Sequence, residues 1–384
     1  MSWEVKTKYS DSGGKTQQKQ MLTTCLILLH ISSAFARRSA IFSSIKVNSV
    51  RRIGMLREIC WGELDWVDLE VATSELRPEN TMNMGQCFNW RAIDSYSEQT
   101  KLTWVGVLYG RPYAVRQTLS TTLVADLSAP SDREETKTLV QKFHQYFQTD
   151  SQLSSLYEIW SKECSRMRTI TQCLPGVRVV RQDPWECLVS FICSSNNNIS
   201  RITLMLNRLR AKWGQYLCSV VVGSDNVKVM YDYEKAGALQ SFYPQSPLKS
   251  PVKRKAIAVE HGEDSTSSAE VIHLFSFPSP AELCKATNEE LSEMGFGYRN
   301  KFITGTVQFI LQENASNNVD WLERLRAGSY FRQVSEGAEE SAESEAKNRK
   351  EVQAELCRLP GVGPKVADCV ALFSLDQPNI VPVD

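Results

Sequence analysis

The sequence is poor in the features that would assign it to several broad classes of protein. Its formal net charge is zero, so binding to nucleic acid must come from local clusters of charge rather than from the whole chain. The eleven cysteines are scattered, odd in number and without a CxxC pair, which argues against a zinc site or a disulfide scaffold and favours reduced thiols inside a cell. The apolar run Cys25–Ala36 is too short to span a membrane.

The N-terminal stretch also lacks charge of one sign. No acidic residue lies between Asp11 and Glu58, whereas lysine, arginine, serine and threonine recur. We therefore expect residues 1–60 to be a targeting or disordered leader with the composition of a mitochondrial transit peptide. Two alternatives stay open: a misassigned or untranslated leader, and a secretory signal, because the apolar run ends in the small-residue pattern Ala34-Phe35-Ala36.

The rest of the chain has an ordinary globular composition, 42% hydrophobic and 23% charged, and is long enough for two domains. Thr103–Tyr109 and Tyr113–Thr118 are β-branched and aromatic runs that Gly110-Arg111-Pro112 separates, which is typical of a β-hairpin. We predict an antiparallel β-rich domain over residues 61–170.

Helical signals dominate residues 171–384. Asp183-Pro184-Trp185-Glu186 is a helix start with a cap residue and proline at the first position, and residues 199–213 form a second, basic helix. Surface insertions are expected near 243–270, where the short basic run Lys253–Lys255 is a weak nuclear-address signal, and near 335–347, which is acidic. The predicted fold class is therefore α+β, with the β domain followed by a helical domain.

The helical domain contains a candidate helix-hairpin-helix at Leu359–Cys369, LPGVGPKVADC. Apolar residues recur at one-face spacing before and after it, Pro360 and Gly361 stop the first helix, and Pro364 suits the first position of the second. Backbone amides at the start of that second helix favour an anion, and a DNA phosphate is the obvious candidate.

Lys365 falls in the first turn of the second helix and shares a face with Cys369. The helix dipole disfavours a positive charge there, which helps an amine to act as a nucleophile. A solvated lysine that only touches phosphate is the alternative interpretation, and the spacing alone does not decide between the two.

Three further segments carry a family resemblance. The hairpin lysine and the closing Val381–Asp384 (VPVD) resemble the helix-hairpin-helix DNA glycosylase superfamily. Phe191–Ile199 (FICSSNNNI) and Met84–Trp90 (MGQCFNW) resemble the 8-oxoguanine DNA glycosylases, in the family's order, from about Trp61 onwards. This resemblance implies a base-excision enzyme with N-glycosylase and β-elimination lyase activity on 8-oxoguanine opposite cytosine.

The resemblance also implies roles for particular residues. Lys365 would be the catalytic amine and Asp384 the carboxylate that stabilises positive charge on the sugar. Gly85 would offer its carbonyl to the N7 hydrogen of the oxidised base, with Cys369 beside the base. The DNA-binding residues would be Asn196, Arg201, Tyr298, Arg299, Gly361, Val362 and Gly363. The chemistry needs no metal or organic cofactor.

By the same resemblance, helices are missing after Asp384, so we expect a C-terminally truncated chain. Two alternatives follow: a weak or inactive DNA-binding isoform, and a glycosylase of another specificity, against which the Gly85 segment argues. The expected partner is duplex DNA with oxidised guanine, bound by a monomer without a membrane. The expected compartment is the nucleus, with the mitochondrion as the alternative.

Overall fold

The computed structural model describes residues 57–93, 102–222, 227–231, 270–317, 320–326 and 342–383. Two antiparallel sheets and a helical region confirm the α+β fold class. Several predicted features lie outside the described residues: nearly all of the leader, most of the insertion at 243–270, the start of the insertion at 335–347, and Asp384.

The first sheet has five strands in the order β2-β6-β5-β4-β3. Its strands are β2 Val67–Asp68, β3 Trp90–Ile93, β4 Leu102–Leu108, β5 Arg111–Gln117 and β6 Thr122–Asp126. The predicted hairpin is β4–β5, but its turn is shorter than expected, because Pro112 already pairs with Val107. Tyr109 and Gly110 make the turn at φ values of 49° and 76°.

The second sheet has four strands in the order β1-β8-β7-β9: β1 Arg57–Cys60, β7 Tyr216–Val222, β8 Val227–Tyr231 and β9 Glu270–Phe275. Strand β1 lies at the end of the predicted leader, and β7 to β9 lie in the range predicted as helical, so this sheet was not predicted. The sequence of β8 does carry a strand signal: Val227, Val229 and Tyr231 fall on every second position, and these three side chains are buried.

The two sheets pack face to face around one apolar cluster. Val105, Val107 and Ala114 of the first sheet meet Cys218, Val220 and Val229 of the second. Helix α2 Thr136–Phe147 covers the other face of the first sheet, where Phe143 lies edge-on to Tyr113 at 5.3 Å between ring centroids. The β region is therefore one layered unit, whose strands come from residues 57–126 and from residues 216–275.

In addition to α2, the helices are α1 Pro78–Met82, α3 Leu153–Glu163, α4 Ser165–Cys173, α5 Pro184–Ser194, α6 Ile199–Trp213, α7 Pro280–Leu283, α8 Asn288–Glu293, α9 Arg299–Asn317, α10 Trp321–Leu325, α11 Ala342–Leu356 and α12 Pro364–Ser374. Helices α1 and α2 pack on the first sheet, and α3 and α4 pack around a small cluster of their own. Helices α5 to α12 lie around a second, larger core. Helix α6 has the predicted bounds. Helix α11 begins earlier than expected, within the predicted acidic insertion.

Helices α5 and α12 form the centre of this core. Nine residues of α5 are buried, and the Asp183 side chain caps the helix by accepting from the Glu186 N–H at 2.8 Å, as its sequence predicted. Phe191 of α5 stacks on Phe373 of α12 with centroids 5.4 Å apart, and Phe88 lies edge-on to Phe191 at 6.1 Å. This aromatic row connects the segment after Gly85 with the helix that carries Lys365.

Candidate active site

The hairpin turn between α11 and α12 is a close-packed structure that tolerates only glycine at one position. Gly361 has φ +77°, and a Cβ there would lie 2.4 Å from the ring of Phe302 on α9. Leu359 and Val362 bury their side chains, and the Val362 N–H donates to the Leu359 carbonyl at 3.1 Å. The turn is thus held against α9 while its backbone continues into α12.

The N-terminal turn of α12 faces solvent. Gly363 is the cap residue, Pro364 the first helical residue and Lys365 the second, and all three are exposed. Cys369, one turn further on, is buried. The structure thus gives Lys365 the position at the positive end of the helix dipole, but not burial in the absence of DNA.

Asp368, on the same helix, is a carboxylate that no sequence pattern singled out. Its Oδ1 accepts from the Gln353 side chain of α11 at 2.6 Å, and burial raises the pKa of the carboxyl while Arg349 opposes that rise. This hydrogen bond joins the two hairpin helices next to Lys365. Asp368 therefore contributes to the frame that orients the N-terminal end of α12.

The far end of α12 is fixed by an arginine that no local pattern predicts. Arg326 donates to the Ser374 carbonyl from Nε at 3.1 Å and from Nη2 at 3.0 Å, which satisfies a C-terminal carbonyl of the helix. Asp376 follows with φ +54° and binds Arg181 through two hydrogen bonds, at 2.6 and 2.7 Å. Both ends of α12 are thus held by contacts to other parts of the fold.

Gly85 lies in a turn after α1, with φ +76°. The buried side chain of Gln86 fixes the next peptide, because Nε2 donates to the carbonyls of Thr81 and Arg178, both at 2.8 Å, and Oε1 accepts from the Val180 N–H at 3.0 Å. This role of Gln86 was not predicted from the sequence, since its partners are far away in the chain.

Gln182 connects the same turn to α12. Its side chain donates to the Gln86 carbonyl at 2.7 Å, and its backbone N–H donates to the Phe373 carbonyl at 2.8 Å. The Gly85 turn and the lysine-bearing helix are therefore tied through a single residue. A glutamine between two elements carries no distinctive sequence signal, and Gln182 was not predicted.

The structure brings Asn196, Tyr298 and Arg299 together. Asn196 is exposed at the end of α5 with φ +48°, a conformation that asparagine tolerates. The Tyr298 hydroxyl donates to the Ser195 carbonyl at 3.1 Å, and the buried Arg299 guanidinium donates to the carbonyls of Ser195 and Asn196. Tyr298 as a whole is 54% exposed.

Arg201 contacts the turn at Met294 and Gly295, which precedes Tyr298. Its Nη2 donates to the Gly295 carbonyl at 3.2 Å, and Arg208, two turns further on, donates to the Met294 carbonyl at 2.9 Å. Each of the two turns therefore receives an arginine from the other element. Arg201 and Arg299, expected to contact DNA bases, are engaged with backbone carbonyls in this structure.

The hairpin and the two turns that carry the predicted residues are neighbours in the fold. Phe302, which lies against Gly361, is edge-on to Tyr298 with centroids 5.8 Å apart, and Tyr298 in turn reaches the residue before Asn196.

Among the described helices, none combines the length and apolar character that a membrane crossing requires. In the same part of the chain, no group of three or more His, Cys, Asp or Glu side chains is placed to share a metal ion.

Comparison with known proteins gives consistent results. The family model of the 8-oxoguanine DNA glycosylase N-terminal domain matches residues 68–188. The N-glycosylase/DNA lyase OGG1 of Arabidopsis thaliana is 29% identical over 323 residues, 84% of this chain and 67% of that protein. The N-glycosylase/DNA lyase of Saccharomyces cerevisiae is 28% identical over 324 residues, 82% of this chain and 67% of that protein.

Solved structures agree on the fold. The apo form of Clostridium acetobutylicum 8-oxoguanine glycosylase/lyase superposes with a TM-score of 0.53 at 20% identity, over 86% of this chain and 84% of that one. MBOgg1 in complex with a low-affinity DNA ligand gives 0.52 at 22% identity, over 88% and 82%. The expected resemblance is confirmed over most of the chain.

Proposed function

We propose that this chain, a relative of the 8-oxoguanine DNA glycosylases, is a base-excision repair N-glycosylase with β-elimination lyase activity on 8-oxoguanine opposite cytosine. The observation that carries the proposal is the match of residues 68–188, which include Gly85, to that family's N-terminal domain. The Arabidopsis thaliana and Saccharomyces cerevisiae relatives, which match 84% and 82% of this chain, are both named N-glycosylase/DNA lyases. The exposed Lys365 at the start of α12 supplies a suitable amine.

DNA binding would begin at the hairpin. The amides of Gly361 and Gly363 and the N-terminal end of α12 suit a phosphate, whereas the Val362 N–H already donates to the Leu359 carbonyl, so that Val362 would contribute through the shape of the turn. Tyr298 would wedge between base pairs and replace stacking lost when the damaged nucleotide rotates out, since unstacking one step costs about a few kcal/mol. Arg201 and Arg299 would turn from their backbone carbonyls towards the unpaired cytosine, with Asn196 beside it.

The base would be recognised at the Gly85 turn. An acceptor at the Gly85 carbonyl favours the N7 hydrogen of 8-oxoguanine, whereas guanine would place a lone pair against it. Cys369 would lie in the pocket beside the base, one helix turn from Lys365. This arrangement requires an accurately placed carbonyl rather than a large contact area.

The chemistry would use Lys365 as a neutral amine. Its nitrogen attacks C1′ of the nucleotide, the glycosidic C–N bond breaks and the base leaves with a proton. The amine loses its proton as the sugar ring opens and O4′ gains one, which gives a Schiff base. Loss of a C2′ proton then forms a C2′–C3′ double bond and breaks the C3′–O bond, so that the 3′-phosphate leaves. Asp384, outside the described residues, would stabilise positive charge on the sugar.

A second candidate is a DNA-binding protein without excision. The observation in its favour is that Lys365 is exposed, as a lysine that only contacts phosphate would be. For both candidates we propose a monomer acting on DNA in the nucleus, with the mitochondrion as the alternative compartment.

Single-turnover excision separates the two candidates. The substrate is a duplex with one 8-oxoguanine opposite cytosine, and alkali treatment reveals base loss separately from strand cleavage. We expect the parent chain to do both, Lys365→Gln to lose both, and the charge-matched control Lys350→Gln, at an exposed position of α11, to keep both. Duplex binding without base loss in the parent chain would contradict the glycosylase proposal.

A further inference from the structure

The geometry around Gly85 points to an additional positioning residue, and we propose that Ile199 determines specificity by holding the Gly85 backbone where its carbonyl reads the oxidised base. This inference rests on the proposed function. Ile199 is not among the residues that the family resemblance assigned. Its side chain would act through Gly85 rather than on the reacting atoms.

The contact between the two residues is close. Gly85 has φ +76°, and a Cβ built on it would lie 3.1 Å from Ile199 Cδ1 and 3.5 Å from Cγ1. The Ile199 side chain thus already occupies the space beside the Gly85 Cα. Any movement of this backbone towards α6 would meet the isoleucine first.

Ile199 is itself held in place. It is the first residue of α6, and the preceding Asn198 caps the helix by accepting from the Arg201 N–H at 3.0 Å. Asn197 donates to the Cys193 carbonyl at 2.9 Å, which fixes the chain before the cap. A β-branched side chain has few χ1 rotamers, so the Ile199 Cγ1, 3.5 Å from the Cβ built on Gly85, keeps a narrow range of positions.

The residues on either side of Gly85 in the chain are held independently of Ile199. The Gln86 side-chain amide makes three hydrogen bonds, and Met84 packs against the small apolar cluster of α3 and α4. Gly85 therefore has a polar anchor at Gln86 and an apolar stop at Ile199. Removing the stop leaves the anchor intact, so the turn should stay folded while its carbonyl gains freedom.

Ile199 is 52% exposed, so shortening its side chain should cost little stability. The effect should instead appear in base recognition, because displacement of a reading group by about 1 Å costs roughly a hundredfold in rate in well-positioned sites. Since Ile199→Ala only permits such a shift, we expect a loss of about tenfold in 8-oxoguanine excision.

The test compares two substrates that differ in the need for base reading. One duplex carries 8-oxoguanine opposite cytosine and the other a preformed abasic site opposite cytosine. Ile199→Ala should slow excision of the base about tenfold and leave cleavage at the abasic site unchanged. Leu204→Ala, also exposed on α6, is the matched control and should change neither rate.

Equal losses on both substrates, or no loss on either, would overturn the role of Ile199 while leaving the glycosylase proposal standing. A parent chain inactive on both would instead refute the proposed function, and the inference with it. Adding Gly85→Ala completes a cycle: the loss caused by Gly85→Ala should be smaller in the Ile199→Ala background. Strictly additive losses from Gly85→Ala and Ile199→Ala would show that these two positions do not interact.

Discussion

Replacing Gly361 by alanine should destabilise the hairpin strongly, for two separate reasons. The residue has φ +77°, where an L-side chain costs about 1–2 kcal/mol. The new Cβ would also lie 2.4 Å from Cδ2 and Cγ of Phe302, and such overpacking costs roughly 1–3 kcal/mol. The sum, about 2–5 kcal/mol, is a large part of the ~5–15 kcal/mol that stabilises a typical domain.

Urea denaturation measures this loss as the free energy of unfolding. Gly363→Ala is the matched control, because Gly363 has φ −94° and no atom lies within 4 Å of the place that its Cβ would take, so its cost should stay within about 1 kcal/mol. In a Phe302→Ala background, which removes Cγ and Cδ2 and leaves only Cβ at 2.9 Å, Gly361→Ala should cost mainly the backbone part, about 1–2 kcal/mol. Equal costs at the two glycines would refute the reasoning.

Three further outcomes follow from the described contacts. Burial lowers the pKa of His273 from its ordinary value of 6.5. The stability that neutral His273 contributes is therefore present above pH 6.5 and is lost as pH falls through the folded-state pKa. His273→Gln should reduce the fall in the free energy of unfolding between pH 7 and pH 5, measured by denaturation. Glu186→Gln removes the carboxylate 2.5 Å from buried Arg210 and should cost about 3–5 kcal/mol in urea denaturation. Tyr298→Ala should weaken duplex binding by about 1–3 kcal/mol through lost stacking, whereas Tyr298→Phe should bind nearly as the parent does in a fluorescence titration.

Local signals allowed several elements to be predicted from the sequence. The cap at Asp183, the bounds of α6 and the hairpin turn depend on neighbouring residues, and each formed as expected. The second sheet was missed because residues 232–269 separate β9 from β7 and β8, and the helical signals on either side were extended across all three strands. Sheet pairing between β1 and β8 joins segments about 170 residues apart, which no local pattern reveals.

For the candidate site, the sequence indicated the hairpin turn but not the contacts that hold the site residues, whose roles stay predictions. The positive φ of Gly361 agrees with its predicted place in that turn. The buried amide network of Gln86 depends on partners from Thr81 to Val180 and could not be deduced from spacing. The inward direction of Arg201 and Arg299 is likewise a tertiary feature, since a carbonyl acceptor leaves no mark in the sequence.

The most direct test of the proposed chemistry is borohydride trapping on a duplex with 8-oxoguanine opposite cytosine, followed by peptide mapping of the adduct. A lysine Schiff base is reduced to a stable covalent link, so the nucleophile is identified by the peptide that carries the DNA. We predict an adduct on the peptide containing Lys365, absent from Lys365→Gln and kept in Lys350→Gln. An adduct on another lysine, or DNA binding without any adduct, would contradict the assignment of Lys365 as the nucleophile.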